Sequence, residues 1–103
     1  MAELKKELPA ELERQLMELG LTSYQARVYR AVFILQECSI SQIATYSNVP
    51  TAKIYSVVND LKERGLLAEI PTSRPATYKA YPPDQYIQRE MNRVAQIGEQ
   101  ILN

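Results

Sequence analysis

The sequence of 103 residues contains twelve Lys and Arg, twelve Asp and Glu and no His, so its formal net charge is zero. Its hydrophobic fraction of 46% and charged fraction of 23% are typical of one soluble globular domain. The absence of His removes the commonest general base and zinc ligand, and the single Cys38 excludes an internal disulfide. We therefore expect a cytoplasmic binding protein with no catalytic residues, no metal site, no cofactor and no membrane span.

The charges are unevenly distributed along the chain. The middle segment, residues 21–82, holds seven basic and four acidic residues, whereas residues 1–20 and 83–103 each carry a small acidic excess. Together with helix start and stop signals, this predicts an N-terminal leucine-rich helical extension (1–20), a central domain (21–82) and a C-terminal helix (83–103). A basic excess of this size is often only a solvated surface, so it does not identify a partner by itself.

Two capping boxes predict the first helices of the central domain. Gly20 ends the leucine-rich stretch, and Thr22–Gln25 then has the Thr-x-x-Gln pattern that satisfies free backbone donors at a helix start. Apolar residues at helical spacing continue this helix to about Gln36. A second box, Ser39–Gln42, begins a shorter helix that extends to about Tyr46.

The following turn predicts a helix-turn-helix. Asn48 tolerates the left-handed conformation of a tight turn, and Pro50 suits the start of a new helix. This third helix, about residues 50–64, ends at Gly65, and its predicted buried stripe is Ile54, Val58 and Leu61, with Val57 at the edge. Two short helices joined by a tight turn, the second longer than the first, are the helix-turn-helix pattern.

The period changes after Gly65. Residues 66–70 and 77–81 are short strand candidates, and the polar, proline-bounded segment 71–76 between them is typical of a hairpin loop. A hairpin directly after a helix-turn-helix is a winged helix, so the predicted fold is mainly α, of the α+β class. Pro82 and Pro83 end the second strand, and Asp84 is predicted to cap a final helix.

The final helix, about residues 84–102, is predicted to be a dimer helix. Its apolar residues alternate at spacings of four and three, which is typical of a short coiled-coil seam, and the seam residues are Ile87, Met91, Val94, Gly98 and Ile101. The alternative is a helix packed back on its own domain. A second stripe near the N-terminus can pair with this helix, in the same chain or in a partner, and consists of Leu4, Leu8, Leu12, Leu16 and Leu19.

Four segments carry recognisable motifs in a fixed order. They are LGLTSYQARVY at 19–29, VPTAKIY at 49–55, LKERGL at 61–66, and RPATY at 74–78 followed by YPP at 81–83. Together they resemble the TrmB-like transcriptional regulators, a family of archaeal and bacterial winged-helix proteins, over about residues 16–88. The resemblance implies binding to double-stranded DNA, with the third helix in the major groove and the wing, about residues 71–77, on the backbone or minor groove.

Two features depart from the family pattern. Many members carry a large effector-binding domain, often for sugars, after the winged helix. Because this sequence ends at Asn103, we expect no such domain, do not extend sugar sensing to it and leave any small-molecule effector unknown. The family often has a basic residue directly after the proline of the third helix, whereas Thr51 stands there, which removes one phosphate or guanine contact.

The side of the third helix opposite its buried stripe is predicted to contact DNA. Asn bonds adenine through two hydrogen bonds, Ser and Thr pair with several base edges, Ala meets the thymine methyl and Lys reaches phosphate or guanine. The alternative is a helix face that is merely solvated, and for Tyr55 a packing role and a phosphate contact are equally open. The residues of this face are Thr51, Ala52, Lys53, Tyr55, Ser56 and Asn59.

The wing adds further candidates. Ser73, Arg74 and Lys79 are predicted to contact the DNA backbone or the minor groove, where Arg favours narrow segments, although a solvated loop is the alternative. Weaker phosphate candidates are Arg27, Arg30, Ser41 and Gln42.

Cys38 directly precedes a helix start, which can lower the pKa of a thiol and allow oxidant sensing, but a small filler residue is the more common case.

These observations predict a homodimeric, sequence-specific DNA-binding regulator. Two other functions stay open at this point. Winged helices also dock proteins, which zero net charge would suit, and a third possibility is low-specificity coating of DNA, which zero net charge disfavours.

Overall fold

The computed structural model describes residues 9–103. This part of the chain forms five helices and one small antiparallel sheet, so the mainly helical, α+β winged-helix prediction is confirmed. The helices are α1 (Pro9–Glu18), α2 (Ser23–Leu35), α3 (Ile40–Ser47), α4 (Thr51–Glu63) and α5 (Asp84–Leu102), and the strands are β1 (Glu37–Ser39), β2 (Leu67–Ile70) and β3 (Thr77–Ala80).

Both predicted capping boxes are formed. The Thr22 hydroxyl accepts from the Gln25 backbone N–H at the start of α2, and the Gln25 side chain accepts from the Thr22 N–H in return. Ser39 and Gln42 make the same reciprocal pair at α3. Each box satisfies two backbone donors that the first helical turn leaves without partners, which fixes where the helix begins.

The ends of α3 and α4 also follow the sequence. Asn48 ends α3 in the left-handed region, with φ of 58°. Gly65 follows α4 with φ of 77°, and the hydrogen bonds Gly65 N–H to Lys62 O and Leu66 N–H to Leu61 O form a Schellman motif. Pro50 occupies the N-cap position of α4, and Arg64 occupies its C-cap position.

The sheet contains one strand that the sequence did not indicate. Its strand order is β1-β3-β2, and β3 pairs with both neighbours in antiparallel fashion. Tyr78 in β3 lies opposite Cys38 in β1 and Glu69 in β2. Because strand partners share a face, Cys38 and Tyr78 together point into the core, where both are buried.

The core lies between α2, α3, α4 and the sheet. The three predicted inward residues of α4 are buried, and so is Val57 at the edge of their stripe. Tyr29 of α2 is fully buried, and its hydroxyl donates to the Tyr81 carbonyl at 2.6 Å. Burial raises the pKa of the Tyr29 phenol, and the negative charge of Asp84 acts in the same direction. The core therefore fixes α4 in position by its inner face and leaves its outer face exposed.

The N-terminal leucines pack mainly on α2. Leu16 is buried, and Leu12 and Leu19 are half-buried against the core cluster. Just after α1, the Leu19 carbonyl accepts a hydrogen bond from the Tyr86 hydroxyl of α5 at 3.2 Å. Glu18 and Leu19 also line a shallow groove together with residues between Glu90 and Ala95 of α5. The other two leucines of the predicted stripe, Leu4 and Leu8, lie outside the described residues.

The predicted cap of the last helix is wrong. Asp84 is already the first residue of α5, Pro83 occupies the capping position, and no side chain caps this end. Tyr86 is buried, whereas the side chains after Arg89 are exposed except at Glu90 and Gly98, which are half-exposed. The far part of α5 therefore extends away from the domain core.

Candidate nucleic-acid interface

The outer face of α4 is open to solvent, as the sequence predicted. All six residues of the predicted DNA-contacting set on this helix are exposed, while the stripe on the opposite side is buried. Tyr55 has 62% of its surface exposed, so a packing role in the core does not account for it. The Ser56 hydroxyl donates to the Lys53 carbonyl at 3.1 Å, which leaves it able to accept but not to donate toward a ligand.

The start of α4 and the wing form one groove. Thr51 and Tyr55, one turn apart on α4, line it together with Pro75 and Ala76 of the wing and Tyr78 of β3. The groove has a volume of about 520 Å³. It brings the first turns of α4 next to the hairpin loop, which is the relationship that joint contact with one stretch of DNA requires.

Two side chains of α2 hold the helix-turn-helix in place. Gln25, which is buried, donates to the Asp60 carboxylate of α4 at 3.4 Å. Arg27 donates to the carbonyl oxygens of Ser47 and Asn48 at the end of α3, with distances between 2.7 and 3.2 Å. The structure therefore places Arg27 on backbone carbonyls instead of on an open surface, and Arg30 likewise forms an ion pair with Glu13 at 3.4 Å.

The basic side chains fall into two groups. Of the ten Lys and Arg residues in the described range, seven donate to a carboxylate, a carbonyl or a phenol oxygen. The structure shows no such partner within residues 9–103 for the other three, which are Lys53, Arg74 and Lys79. These three are the main basic candidates for DNA contact in the sequence, whereas the two weaker phosphate candidates, Arg27 and Arg30, have protein partners.

The three cations lie in different places. Lys53 is in the first turn of α4, and Arg74 is exposed near the tip of the hairpin loop. Lys79 in β3 instead lines a separate cleft with Phe33, Gln36 and neighbouring residues. The structure thus brings α4 and the wing together but places Lys79 to one side of their groove.

Ser73 is less available than the sequence suggested. It is half-buried, its backbone N–H donates to the Ile70 carbonyl at 3.4 Å, and its hydroxyl lies 3.3 Å from that of Thr77. Thr77 in turn donates to the Glu37 carboxylate at 2.7 Å. Ser73 therefore helps to close the hairpin loop, and Arg74 is its outward-facing neighbour.

An ion pair stands at the far end of α4. Lys62 donates to Glu69 of β2 at 2.7 Å, and this hydrogen bond raises the pKa of the Lys62 ammonium. Burial raises the pKa of the nearby Tyr78 phenol, with a further contribution from the Glu69 charge. Because Glu69 is neutralised by Lys62, the acid that lines the groove does not present an uncompensated negative charge to it.

Cys38 does not have the environment of a reactive thiol. It is 1% exposed, and burial, assisted by the Glu37 charge, raises the pKa of its thiol to about 11. The lowered pKa that its position before a helix start suggested is therefore wrong, because Cys38 is a core strand residue here. It fills space beneath Tyr78, which is the alternative that the sequence also offered.

The described part of the chain lacks both a metal-binding cluster and a membrane-spanning helix. Residues 9–103 contain no group of three His, Cys, Asp or Glu side chains that could hold a metal ion. None of the helices described in that range is long and apolar enough to cross a membrane.

Comparison with known proteins identifies the family. Residues 16–84 match the family model described as the sugar-specific transcriptional regulator TrmB. The chain belongs to the TrmB family. The match covers the winged helix of this TrmB-family chain. Its family and fold are those of transcriptional regulators, which are not enzymes. Family membership and winged-helix architecture together support DNA binding.

Solved structures show the same fold. TrmBL2, described as an archaeal chromatin protein with a novel mode of DNA binding, superposes with a TM-score of 0.77 at 21% identity, over 91% of this chain and 36% of TrmBL2. BpsR of Bordetella bronchiseptica, whose DNA binding is regulated by 6-hydroxynicotinic acid, gives 0.57 at 26% identity, over 79% and 59% of the two chains. The MarR-family regulator SPO1453 of Silicibacter pomeroyi gives 0.60 at 17% identity, over 98% and 74%. This TrmB-family chain therefore spans about a third of the length of TrmBL2.

Proposed function

We propose that the chain is a sequence-specific regulator that binds double-stranded DNA, with α4 in the major groove and the wing on the backbone or minor groove. The observation that carries this proposal is the division of the basic side chains. Seven of the ten described cations have protein partners, and two of the remaining three, Lys53 and Arg74, stand at the start of α4 and at the wing tip. Unpaired cations on two adjacent elements are suited to two phosphates of one duplex.

The chemistry of α4 supports base reading. Thr51, Ala52 and Asn59 are exposed on its outer face and have no side-chain hydrogen bond to the described protein. Asn bonds adenine through two hydrogen bonds, and Thr and Ala offer a methyl group to thymine. We therefore expect Asn59 to contribute most of the base preference and Lys53 mainly to contribute affinity.

We further propose that two copies join through α5. Along its 19 residues the seam side chains Met91, Val94 and Ile101 are 59%, 58% and 77% exposed, which is unusual for large apolar groups in an isolated domain. Ile87 at the start of the seam is half-buried. A second α5 would cover this face, and two-fold symmetry would place the two α4 helices on half-sites about one DNA turn apart.

A bound dimer would regulate a promoter by excluding polymerase or by assisting it. A second candidate function has one observation in its favour: the fold resembles that of TrmBL2, which is described as an archaeal chromatin protein. Under that alternative the chain would coat DNA with little sequence preference.

The test is fluorescence anisotropy of labelled DNA over a salt series. One duplex carries the upstream region of the chain's own gene and the other a scrambled sequence. The variant is Lys53→Gln combined with Arg74→Gln. The matched control, Arg14→Gln combined with Arg93→Gln, also removes two positive charges, but each of those arginines pairs with an acid on its own helix.

Specific binding predicts that the wild type prefers the upstream duplex. The Lys53 and Arg74 variant should then lower the salt slope by about 1.8 for each bound chain, and so by about 3.6 for a bound dimer, since each phosphate contact contributes about 0.9, and the control should leave it unchanged. Equal affinity for both duplexes would support the coating function. No binding at low salt would exclude both and favour a protein-docking winged helix.

A further inference from the structure

The junction between α4 and α5 centres on Arg64, the C-cap residue of α4. In the Schellman motif at Gly65, the Arg64 carbonyl lies beyond the hydrogen bonds that the helix makes with itself. The guanidinium of Arg89, in the second turn of α5, donates to this carbonyl oxygen from Nη2 at 2.6 Å. A cation at the C-terminal end of a helix is also favoured by the helix dipole.

Gly65 brings the two elements close enough for this bond. A Cβ atom on Gly65 would lie 2.8 Å from Arg89 Nη2 and 3.7 Å from its Cζ, so the guanidinium rests directly against the glycine backbone. Gly65 thus meets two requirements at once, a positive φ and an open surface for Arg89.

Tyr86 completes the junction one turn earlier. Tyr86 is 4% exposed, and its hydroxyl donates to the carbonyl of Leu19, the residue after α1. Arg64 Nη1 donates to the Tyr86 hydroxyl oxygen at 3.4 Å. After Arg89 the described side chains of α5 are exposed or half-exposed. The direction of α5 relative to α4 is therefore determined near its start, by Tyr86 from the core side and by Arg89 from the surface side.

We infer that Arg89 is a positioning residue that fixes the angle between α5 and the recognition helix α4. Through that angle it fixes the separation of the two recognition helices in a dimer, and hence the half-site spacing. Only this second step depends on the proposed DNA-binding dimer. Arg89 acts through the Arg64 carbonyl and is not itself a DNA contact.

The first experiment needs neither DNA nor a dimer. Spin labels are attached through Ala52→Cys and Gln100→Cys, each about 17 Å along its helix from the junction. Because burial raises the pKa of the Cys38 thiol to about 11, labelling at pH 7 is directed to the introduced cysteines. Labelled chains are mixed with an excess of unlabelled chains, so that pulsed electron paramagnetic resonance reports the distance between the two spin labels of one chain.

The variant is Arg89→Gln, and the matched control is Arg93→Gln. Both remove one charge from α5, but Arg93 pairs with Glu90 on the same helix at 2.8 Å and does not reach α4. We expect the distance distribution to become about twice as broad in Arg89→Gln and to stay as in the wild type in Arg93→Gln. Equal widths in Arg89→Gln and wild type would overturn the inference.

The second experiment measures spacing on DNA. Affinity is compared across duplexes whose two half-sites are moved by one base pair at a time, and on a duplex with one half-site. Arg89→Gln should reduce a wild-type preference of about tenfold for the best spacing to about twofold, with half-site affinity unchanged. An unchanged spacing preference would contradict the inference that the angle between α4 and α5 sets the half-site spacing. If the wild type did not bind DNA but the spin-label distance distribution were broader in Arg89→Gln, the proposed function would be refuted and the positioning role of Arg89 supported.

Discussion

Arg27 binds the carbonyl oxygen of Ser47 through two nitrogens, Nε at 3.2 Å and Nη2 at 3.0 Å. Nη2 also donates to the Asn48 carbonyl at 2.7 Å, and the guanidinium carbon lies 5.6 Å from the centre of the Tyr24 ring. The cation therefore stands at the C-terminal end of α3, where the helix dipole favours positive charge. It fastens the turn of the helix-turn-helix to α2.

We expect Arg27→Ala to lower the free energy of unfolding by about 1–2 kcal/mol, because charge-assisted hydrogen bonds to the end of α3 are lost. Urea denaturation followed by circular dichroism measures this. Lys53→Gln, which removes an exposed cation without a described partner, should change stability by less than about 0.5 kcal/mol. A phosphate-binding role for Arg27 would show the opposite pattern, with unchanged stability and a salt slope lower by about 0.9 for each bound chain.

Gly65 and Gly98 should respond in opposite directions to the same substitution. Gly65→Ala places a side chain at φ of 77° and 2.8 Å from Arg89 Nη2, so we expect it to lose about 1–2 kcal/mol of stability. Gly98 lies within α5 with nothing within 4 Å of an added Cβ. There, Ala should stabilise by about 0.5–1 kcal/mol through helix propensity.

Thermal unfolding of both glycine variants at one protein concentration tests this pair. If Gly65→Ala were as stable as the wild type, the close approach of Arg89 to the glycine backbone would not exist in solution. If Gly98→Ala were destabilised, the added methyl group would meet a neighbour, which in this part of α5 means a partner helix.

The sequence predicted those parts of the fold that depend on short-range signals. Both capping boxes, the left-handed Asn48 and the glycine after α4 involve residues within a few positions of each other, and all are present. The 3.6-residue period of the α-helix predicts the buried stripe of α4. The residues on the opposite side of the helix are then predicted to be exposed. Family membership was predicted for the same reason, because its motifs are contiguous segments in a fixed order.

The parts that sequence reasoning missed depend on residues far apart in the chain. β1 has only three residues, and its partner strand lies about 40 positions later, so no local period announces it. Arg27 reaches carbonyls 20 positions away, and Arg89 reaches one 25 positions away. Because every residue has a backbone carbonyl, the sequence does not indicate which carbonyl an arginine will bind. Arg27 was therefore predicted to face solvent, and no role was predicted for Arg89.

The pH dependence of stability should reveal the buried thiol. In the folded protein the pKa of Cys38 is raised from 9.0 to about 11, so the unfolded chain loses the proton first as pH rises. The stabilisation is fully present below pH 9 and is lost as pH rises toward about 11. We expect a loss of about 2 kcal/mol over that window.

Comparison with Cys38→Ala isolates this effect. Tyr29, whose pKa burial also raises, and the lysines titrate in both proteins, so they cancel in the difference. The stability advantage of the wild type over Cys38→Ala should be constant from pH 6 to about 8.5 and shrink above pH 9. An advantage that stayed constant to pH 11 would mean that the thiol is not desolvated in the folded protein.

The proposed dimer rests on the exposed seam of α5. Met91→Glu combined with Val94→Glu should give a monomer, because two buried like charges on each copy would face each other across the interface. Light scattering after size exclusion measures the mass. Both side chains are more than half exposed in the single chain, so circular dichroism should show an intact fold.

The matched control is Gln96→Glu combined with Gln100→Glu, which adds the same two charges to α5 outside the seam and at exposed positions. It should remain dimeric. The monomeric variant should still bind a single half-site, since the outer face of α4 is untouched, but should lose the preference for two half-sites at fixed spacing. If the seam variant and the control had the same mass as the wild type, α5 would not be the dimer helix, and its apolar face would need another occupant.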